Sequence, residues 1–267
     1  MSRLYTVLMI PTFKTFLIVC PFVFLAGLVD AIGGGGGLIS LPAYLIAGLP
    51  PHCATATNKL SATCGTALAT FRFARKGLID WRMALPGMAA ALIGAWCGAH
   101  LNLLVSGAAL TYVLYAVLPL TAILVLRKDT FKERAPESEA PAPETRRRTA
   151  LIAAAASLVI GVYDGFYGPG TGTFLIIAFS LLAKMDVRSA NGQCKAINLT
   201  TNVTSLIVYL RSGNTLIVLG LVAAGCNMLG SYIGSGLAIR SGAKITRPII
   251  LLVLVLLLLK VIGVFGS

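Results

Sequence analysis

The chain has 267 residues, of which 57% are hydrophobic and 12% are charged, and its formal net charge is +13. The mean hydropathy of +0.87 excludes an ordinary water-soluble globule, and apolar runs long enough to cross a bilayer recur from end to end. The basic residues lie in short gaps between those runs. They therefore indicate the cytoplasmic loops of an all-α polytopic membrane protein rather than a nucleic-acid-binding surface.

Ten apolar segments are predicted, five on each side of a polar linker. In chain order they lie at about 15–33, 36–49, 54–73, 83–103 and 108–126, and then at about 149–168, 170–184, 189–210, 216–239 and 247–265. The linker RKDTFKERAPESEAPAPETRRR has a polar, proline-containing composition that forms no core. The predicted domains are a first transmembrane repeat (1–126), a cytoplasmic polar linker (127–148) and a second transmembrane repeat (149–267).

The two halves repeat one another in sequence. GLVD at 27–30 matches GVYD at 161–164, and each is followed by glycine-rich sequence. Further along, an offset of 136 residues aligns Lys59 with Lys195 within a series of charged and glycine matches. This ordered series predicts two homologous halves.

The second segment of each half, LISLPAYLIAGL and TFLIIAFSLLA, is unusually short. At 1.5 Å per residue neither easily crosses a hydrocarbon core of about 30 Å, so eight full spans and two short, broken or re-entrant helices are predicted. If all ten segments cross, the halves are inverted; if the short ones turn back, the halves are parallel. The positive-inside rule favours inverted repeats, because the parallel arrangement puts the basic loop RSGAKITR (240–247) outside.

Five consecutive glycines follow an aspartate in GLVDAIGGGGGLISLP, residues 27–42, and GPGTG follows Asp164 in the second half. Glycine is about 1 kcal/mol per residue poorer than alanine as a helix former, so a helix is expected to end here inside the membrane. Amide groups exposed at such a break can point at an anion. The glycines predicted to form a substrate site are Gly35, Gly36, Gly170 and Gly172. Close helix packing is the alternative, and it is the role expected of Gly94, Gly98, Gly230 and Gly234.

Four ionisable residues lie well inside the predicted spans as two matched pairs, Asp30 with Asp164 and Lys59 with Lys195. Charges inside a membrane are costly and mark solute or ion pathways. We predict that the lysines bind the solute and that the aspartates either pair with them or carry a proton; the alternative is that the charges only hold the bundle together. Neutral groups near the lysines complete the predicted substrate site: Thr57, Asn58, Gln193 and Asn198.

No catalytic residue, metal ligand or cofactor is predicted. The six cysteines show no CxxC or other metal spacing, and His52 and His100 stand alone. An ATP-binding GxxxxGKS/T motif does not occur in the sequence. A primary pump would therefore need a separate ATP-binding subunit. We expect that the protein is not an enzyme.

Three stretches carry a resemblance to a known family: GLVDAIGGGGGLISLPAYLIAGLPPHCATATNK, YDGFYGPGTGTF and NGQCKAINLTTN. They closely resemble the TauE/SafE family of sulfite exporters, also called TSUP permeases, over nearly the whole chain. The resemblance implies a multi-pass secondary transporter of the bacterial inner membrane. Its implied solutes are small sulfur-containing anions of the sulfite, sulfonate or sulfoacetate type, and its other partner is the lipid bilayer, with a homo-oligomer left open.

Two other classes of protein are alternatives to a transporter. Tyr163 and Asp164 resemble half of the dyad of intramembrane aspartyl proteases, but Asp30 lacks a GxGD context and the lysines would then have no role. A membrane scaffold or assembly factor needs no charged interior. Saturable solute uptake distinguishes a transporter from both.

Overall fold

The computed structural model describes residues 11–110 and 143–242, together with residues 112, 244, 245 and 248. Within these ranges the chain is helical and contains no strand. Four helices come from the first half: α1 (Phe13–Gly33), α2 (Gly37–Ile46), α3 (Pro51–Arg75) and α4 (Trp81–Leu104). Four come from the second half in the same order: α5 (Pro143–Phe166), α6 (Thr171–Leu181), α7 (Val187–Ser212) and α8 (Ile217–Ser241).

The all-helical architecture agrees with the prediction, with differences at its edges. Helix α5 begins at Pro143, inside the predicted linker, so the last residues of that linker are helical. Most of the linker and nearly all of the predicted segments at 108–126 and 247–265 lie outside the described residues.

Four of the described helices are long and apolar enough to cross a membrane: α1, α4, residues 149–166 of α5, and α8. Helices α2 and α6 have 10 and 11 residues, which is about half of the length that a span requires. Helices α3 and α7 are long, with 25 and 26 residues, but they carry many buried polar side chains. The structure thus confirms the two short helices, whereas eight full spans remain a prediction.

Helices α3 and α7 keep their polar side chains away from lipid by packing among the others. Most of the large apolar side chains on the surface belong to α1, α4, α5 and α8. The buried polar residues of α3 and α7 include Thr57, Lys59, Gln193 and Lys195. This division follows from the cost of exposing hydrogen-bonding groups to hydrocarbon.

Glycines bring two helix pairs into close contact. A β-carbon at Gly94 or Gly98 of α4 would overlap main-chain atoms of α5, and one at Gly230 or Gly234 of α8 would overlap main-chain atoms of α1. Small residues allow helix backbones to approach in this way. The predicted packing role of these four glycines is confirmed.

The order of the contacts gives the relative directions of the helices. Lys59 of α3 contacts Asn202 of α7 while Thr70 contacts Lys195, so α3 and α7 are antiparallel. By the same test α1 runs parallel to α8, since Phe24 lies beside Gly230 and Leu28 lies beside Gly234. Helix α3 also runs parallel to α8, since Leu60 lies beside Gly220 and Gly65 lies beside Asn227.

The remaining long helices form a second group. Gly94 and Gly98 of α4 lie beside Leu158 and Val162 of α5, in that order, so α4 and α5 are parallel. Gln193 of α7 bonds the carbonyl oxygen before α4, and Ile197 packs further along α4, so α7 is parallel to α4 as well.

Candidate functional site

Each half contains a short connection between its first two helices, and glycine dictates its backbone. The α1–α2 connection spans residues 34–36, and the α5–α6 connection spans 167–170. A positive φ angle is rarely adopted by residues with a side chain. Four glycines in the two connections have one: Gly34, Gly35, Gly168 and Gly170.

The two connections pack directly against each other. A β-carbon at Gly34 would overlap the main chain of Gly172 and Thr173, and one at Gly37 would lie 3.2 Å from the α-carbon of Pro169. The hydroxyl of Thr173 donates to the carbonyl oxygen of Gly33 at 3.2 Å. The glycine run after Asp30 therefore serves two purposes, since it ends α1 and lets the two halves meet.

A cavity lies beside these connections. Its volume is about 470 Å³, including the solvent space at its open side. The first turns of α2 and α6 contribute Gly37 and Thr171 to its wall. All four glycines of the predicted site line it: Gly35, Gly36, Gly170 and Gly172. Five predicted polar residues line it as well: Asp30, Asn58, Lys59, Asp164 and Asn198.

Two ion pairs cross between the halves at this cavity. Lys59 Nζ lies 2.8 Å from Asp164 Oδ2, and Lys195 Nζ lies 3.0 Å from Asp30 Oδ2. The side chains are buried, except that 19% of the Asp30 side chain is exposed. Burying a lone charge costs much free energy. In each pair the lysine and the aspartate neutralise one another, which avoids that cost.

The family model described as "Sulfite exporter TauE/SafE" matches residues 19–261. The chain belongs to this family. A "Probable membrane transporter protein ORF9" of Sinorhizobium sp is 35% identical over 240 residues, which are 90% of this chain and 89% of the relative. "Probable membrane transporter protein YfcA" of Escherichia coli (strain K12) is 33% identical over 230 residues, covering 86% and 82%. No solved structure matches the chain.

This TauE/SafE protein is therefore a multi-pass membrane transporter. A "Probable membrane transporter protein" of Haemophilus influenzae, 29% identical over 239 residues, covers 90% of this chain and 91% of its own length. The matches support neither a scaffold nor a protease, and each aspartate lies against a lysine rather than sharing a proton with a second carboxylate. In the part of the chain that the structure describes, no three His, Cys, Asp or Glu residues converge as metal ligands.

Three residues of the predicted substrate site do not line the cavity of the TauE/SafE protein. Thr57 accepts a hydrogen bond from the amide of Leu216 at 3.1 Å, and Gln193 donates to the carbonyl oxygen of Asp80 at 3.0 Å. Thr57 stands two positions before the cavity-lining Lys59, and residues two apart on a helix point in different directions. Lys195 is fully buried and bonds Asp30, which does line the cavity.

Sequence reasoning missed Asn227, which lines the cavity from α8. Its side chain is 5% exposed, and its Oδ1 accepts from the hydroxyl of Ser231 at 3.2 Å. Gly65 of α3 makes room for it, because a β-carbon there would overlap the amide. The available signal was an asparagine in the middle of an apolar span, where a polar group needs a partner.

Proposed function

We propose that this TauE/SafE protein carries small anions, of the sulfite, sulfonate or sulfoacetate type, through the cavity and across the bacterial inner membrane. The proposal rests on one observation: Lys59 lines the same cavity as the amino ends of the two short helices, at Gly36–Gly37 and Gly170–Thr171. Helix amino ends attract negative charge, and a buried ammonium supplies a full counter-charge. Broken helices of this kind form substrate sites in transporters built from repeats.

Amide side chains add neutral hydrogen-bonding groups to this site. Asn58, Asn198 and Asn227 line the cavity, and each carries an amide NH2 group that can donate hydrogen bonds. A small oxyanion needs several donors around it, and rotatable amides can supply them. We assign solute contacts to Lys59, Asn58 and Asn198, together with the backbone at the four predicted glycines.

Charge balance in the cavity links anion binding to a proton. Asp164 neutralises Lys59 at 2.8 Å, so an arriving anion brings an uncompensated negative charge into a buried site. Proton uptake by an aspartate restores neutrality. The more exposed carboxylate, Asp30, is the group that we assign to this role.

We also propose that the two halves are inverted repeats. Helices α1, α3 and α8 run in one direction, whereas α4, α5 and α7 form the second parallel group and α3 and α7 are antiparallel. Under this assignment every long helix opposes its counterpart in the other half. Basic side chains gather at the end that we assign to the cytoplasm: Arg75, Lys76, Arg82, Arg188 and Arg240.

Uptake into proteoliposomes tests the proposal. Sulfite, methanesulfonate and sulfoacetate are offered in turn, and saturable uptake of at least one is expected. Gly35→Leu should abolish it by placing a side chain on the cavity wall. Gly48→Leu is the matched control, because Gly48 has nearly the same φ, 90° against 89°, but lies outside the cavity with open space around it. Equal loss in both variants, or no uptake of any solute, would contradict the proposal.

A further inference from the structure

The two equivalent ion pairs have different surroundings. Lys59, Asp164 and Asp30 all line the cavity, whereas Lys195 does not and has no exposed surface. The lysines occupy matching positions in the two repeats, at an offset of 136 residues. Both lysines are almost completely buried, at 3% and 0% exposed, so the difference between them lies in contact with the cavity and in their neighbours rather than in their place in the repeat.

In the described part of the chain, the hydrogen bonds of the Lys59 ammonium go to side chains. Its Nζ donates to Asp164 Oδ2 at 2.8 Å and to Asn202 Oδ1 at 2.9 Å. Asn202 in turn donates to Asn198 Oδ1 at 3.4 Å and to Thr66 Oγ1 at 3.5 Å. Side-chain partners can rearrange by changing rotamer, so the ammonium can exchange a carboxylate for another anion without moving a helix.

Lys195 is tied to the main chain instead. It donates to the carbonyl oxygen of Asp30 as well as to the Asp30 carboxylate. The same carbonyl oxygen accepts a hydrogen bond from the amide of Gly34 at 2.8 Å, and this bond closes the last turn of α1. A cation at the carboxyl end of a helix satisfies its final carbonyl groups and interacts favourably with the helix dipole.

A second residue of α7 holds the same helix end. Asn191 donates to the carbonyl oxygen of Ile32 at 2.9 Å and to that of Ala31 at 3.3 Å. Asn191 and Lys195 are four residues apart and so lie on one face of α7. Together they fasten the broken end of α1, from which the glycine connection leads to the cavity.

The two repeats differ in sequence at the residues that bond Lys59 in one case and hold the end of α1 beside Lys195 in the other. Asn202 and Asn198, which belong to the network around Lys59, are aligned with Thr66 and Ala62 in the first half. Neither threonine nor alanine has the amide oxygen that Asn202 offers to Lys59. Asn191 is aligned with Thr55, whose hydroxyl instead bonds Pro51 within its own helix at 2.9 Å.

We propose that the two equivalent pairs have separate roles. The Lys59–Asp164 pair opens to accept the anion, whereas Lys195 is a positioning residue that fixes the end of α1 and keeps Asp30 at the cavity wall. The first role rests on the proposed transport of anions. The second is a property of the empty protein and is measurable without any solute.

Two double variants of the purified full-length protein test the division without solute. Lys59→Met with Asp164→Asn and Lys195→Met with Asp30→Asn each replace one buried pair by neutral side chains. The first protein should melt within about 3 °C of the wild type, since losing both partners of a buried pair costs little. The second should melt at least about 5 °C lower, since it also loses a charged donor to the main chain. Equal melting temperatures would overturn the assignment.

Two single amide variants extend the test to solute binding, with sulfite as the probe and methanesulfonate as a second probe. Asn202→Ala should weaken binding by about 10-fold or more at a melting temperature near that of the wild type. Asn191→Ala should lower the melting temperature and change the affinity by less than about 3-fold. The reverse pattern, or the same affinity loss in both, would overturn the division. Absence of binding by the wild-type protein would instead count against anion transport, and the melting comparison would still decide the role of Lys195.

Discussion

At the scale of single residues, Asp30 and Asp164 are chemically identical but differ in access to the cavity. The Asp30 side chain is 19% exposed and the Asp164 side chain is 3% exposed. Asp30 also receives a long hydrogen bond, 3.4 Å, from the amide of Gly36 at the start of α2. Its greater exposure at the cavity wall is the reason that we propose Asp30, rather than Asp164, as the proton-carrying group. Lys195 also donates to the main-chain carbonyl oxygen of Asp30, and this acceptor does not depend on the charge of the carboxylate.

Replacing Asp30 by asparagine should therefore uncouple transport from protons. We expect Asp30→Asn to bind the solute but to show the same uptake rate, within about twofold, with and without an imposed pH gradient. Uptake into proteoliposomes measures this. Asp80→Asn is the control, because Asp80 caps α4 outside the cavity and asparagine is an equally good cap. Persistent dependence on the gradient in Asp30→Asn would leave Asp30 as an ion-pair partner alone.

At the scale of secondary structure, glycines determine how closely neighbouring helices approach. On α4, the β-carbon positions of Gly94 and Gly98 point into the backbone of α5. The equivalent glycines of α8 do the same against α1. Because hydrocarbon chains solvate apolar side chains as well as protein does, such close packing is a main source of helix association in a bilayer.

The substitution Gly98→Ala should separate α4 from α5. Its methyl group would overlap the carbonyl oxygen of Val162, and the resulting strain should cost about 1–3 kcal/mol. Thermal unfolding of the purified protein in detergent gives the change in stability. Gly225→Ala is the matched control, since Gly225 is also helical but has no atom within 4 Å of its β-carbon position. We expect that variant to be neutral or up to about 1 kcal/mol more stable, and equal effects at both sites would exclude the packing explanation.

At the scale of the whole molecule, the helix directions place each loop at one of two ends. Ser241, at the end of α8, lies at the same end as Arg75 at the end of α3, because α3 and α8 are parallel. Asn214, before α8, lies at the opposite end. The excess of basic residues near Ser241 is the basis on which we propose, under the positive-inside rule, that this end is cytoplasmic.

Cysteine labelling in intact cells tests this orientation. A cysteine at Asn214 should react with a membrane-impermeant thiol reagent added outside, whereas a cysteine at Ser241 should react only after permeabilisation. The unmodified protein, with its six native cysteines, sets the background. Ready labelling of Ser241→Cys from outside would rule out the inverted arrangement.

The amino-acid sequence by itself determined the helices, the two breaks and the matched charges. The lengths of the apolar runs predict the lengths of the helices. The glycines before α2 and α6 predict the breaks because glycine is a poor helix former, which is a local property of the residue. The internal repeat in the sequence is sufficient to align Lys59 with Lys195 and Asp30 with Asp164.

The tertiary structure decided which of these residues meet. Each lysine pairs with an aspartate of the other half, and Lys59 lines the cavity whereas Lys195 does not. Asn227 joins from a helix that looks apolar in sequence. These outcomes depend on how each helix is rotated and on which backbone lies beside it. Both are set by contacts between residues more than a hundred positions apart, which no local pattern encodes.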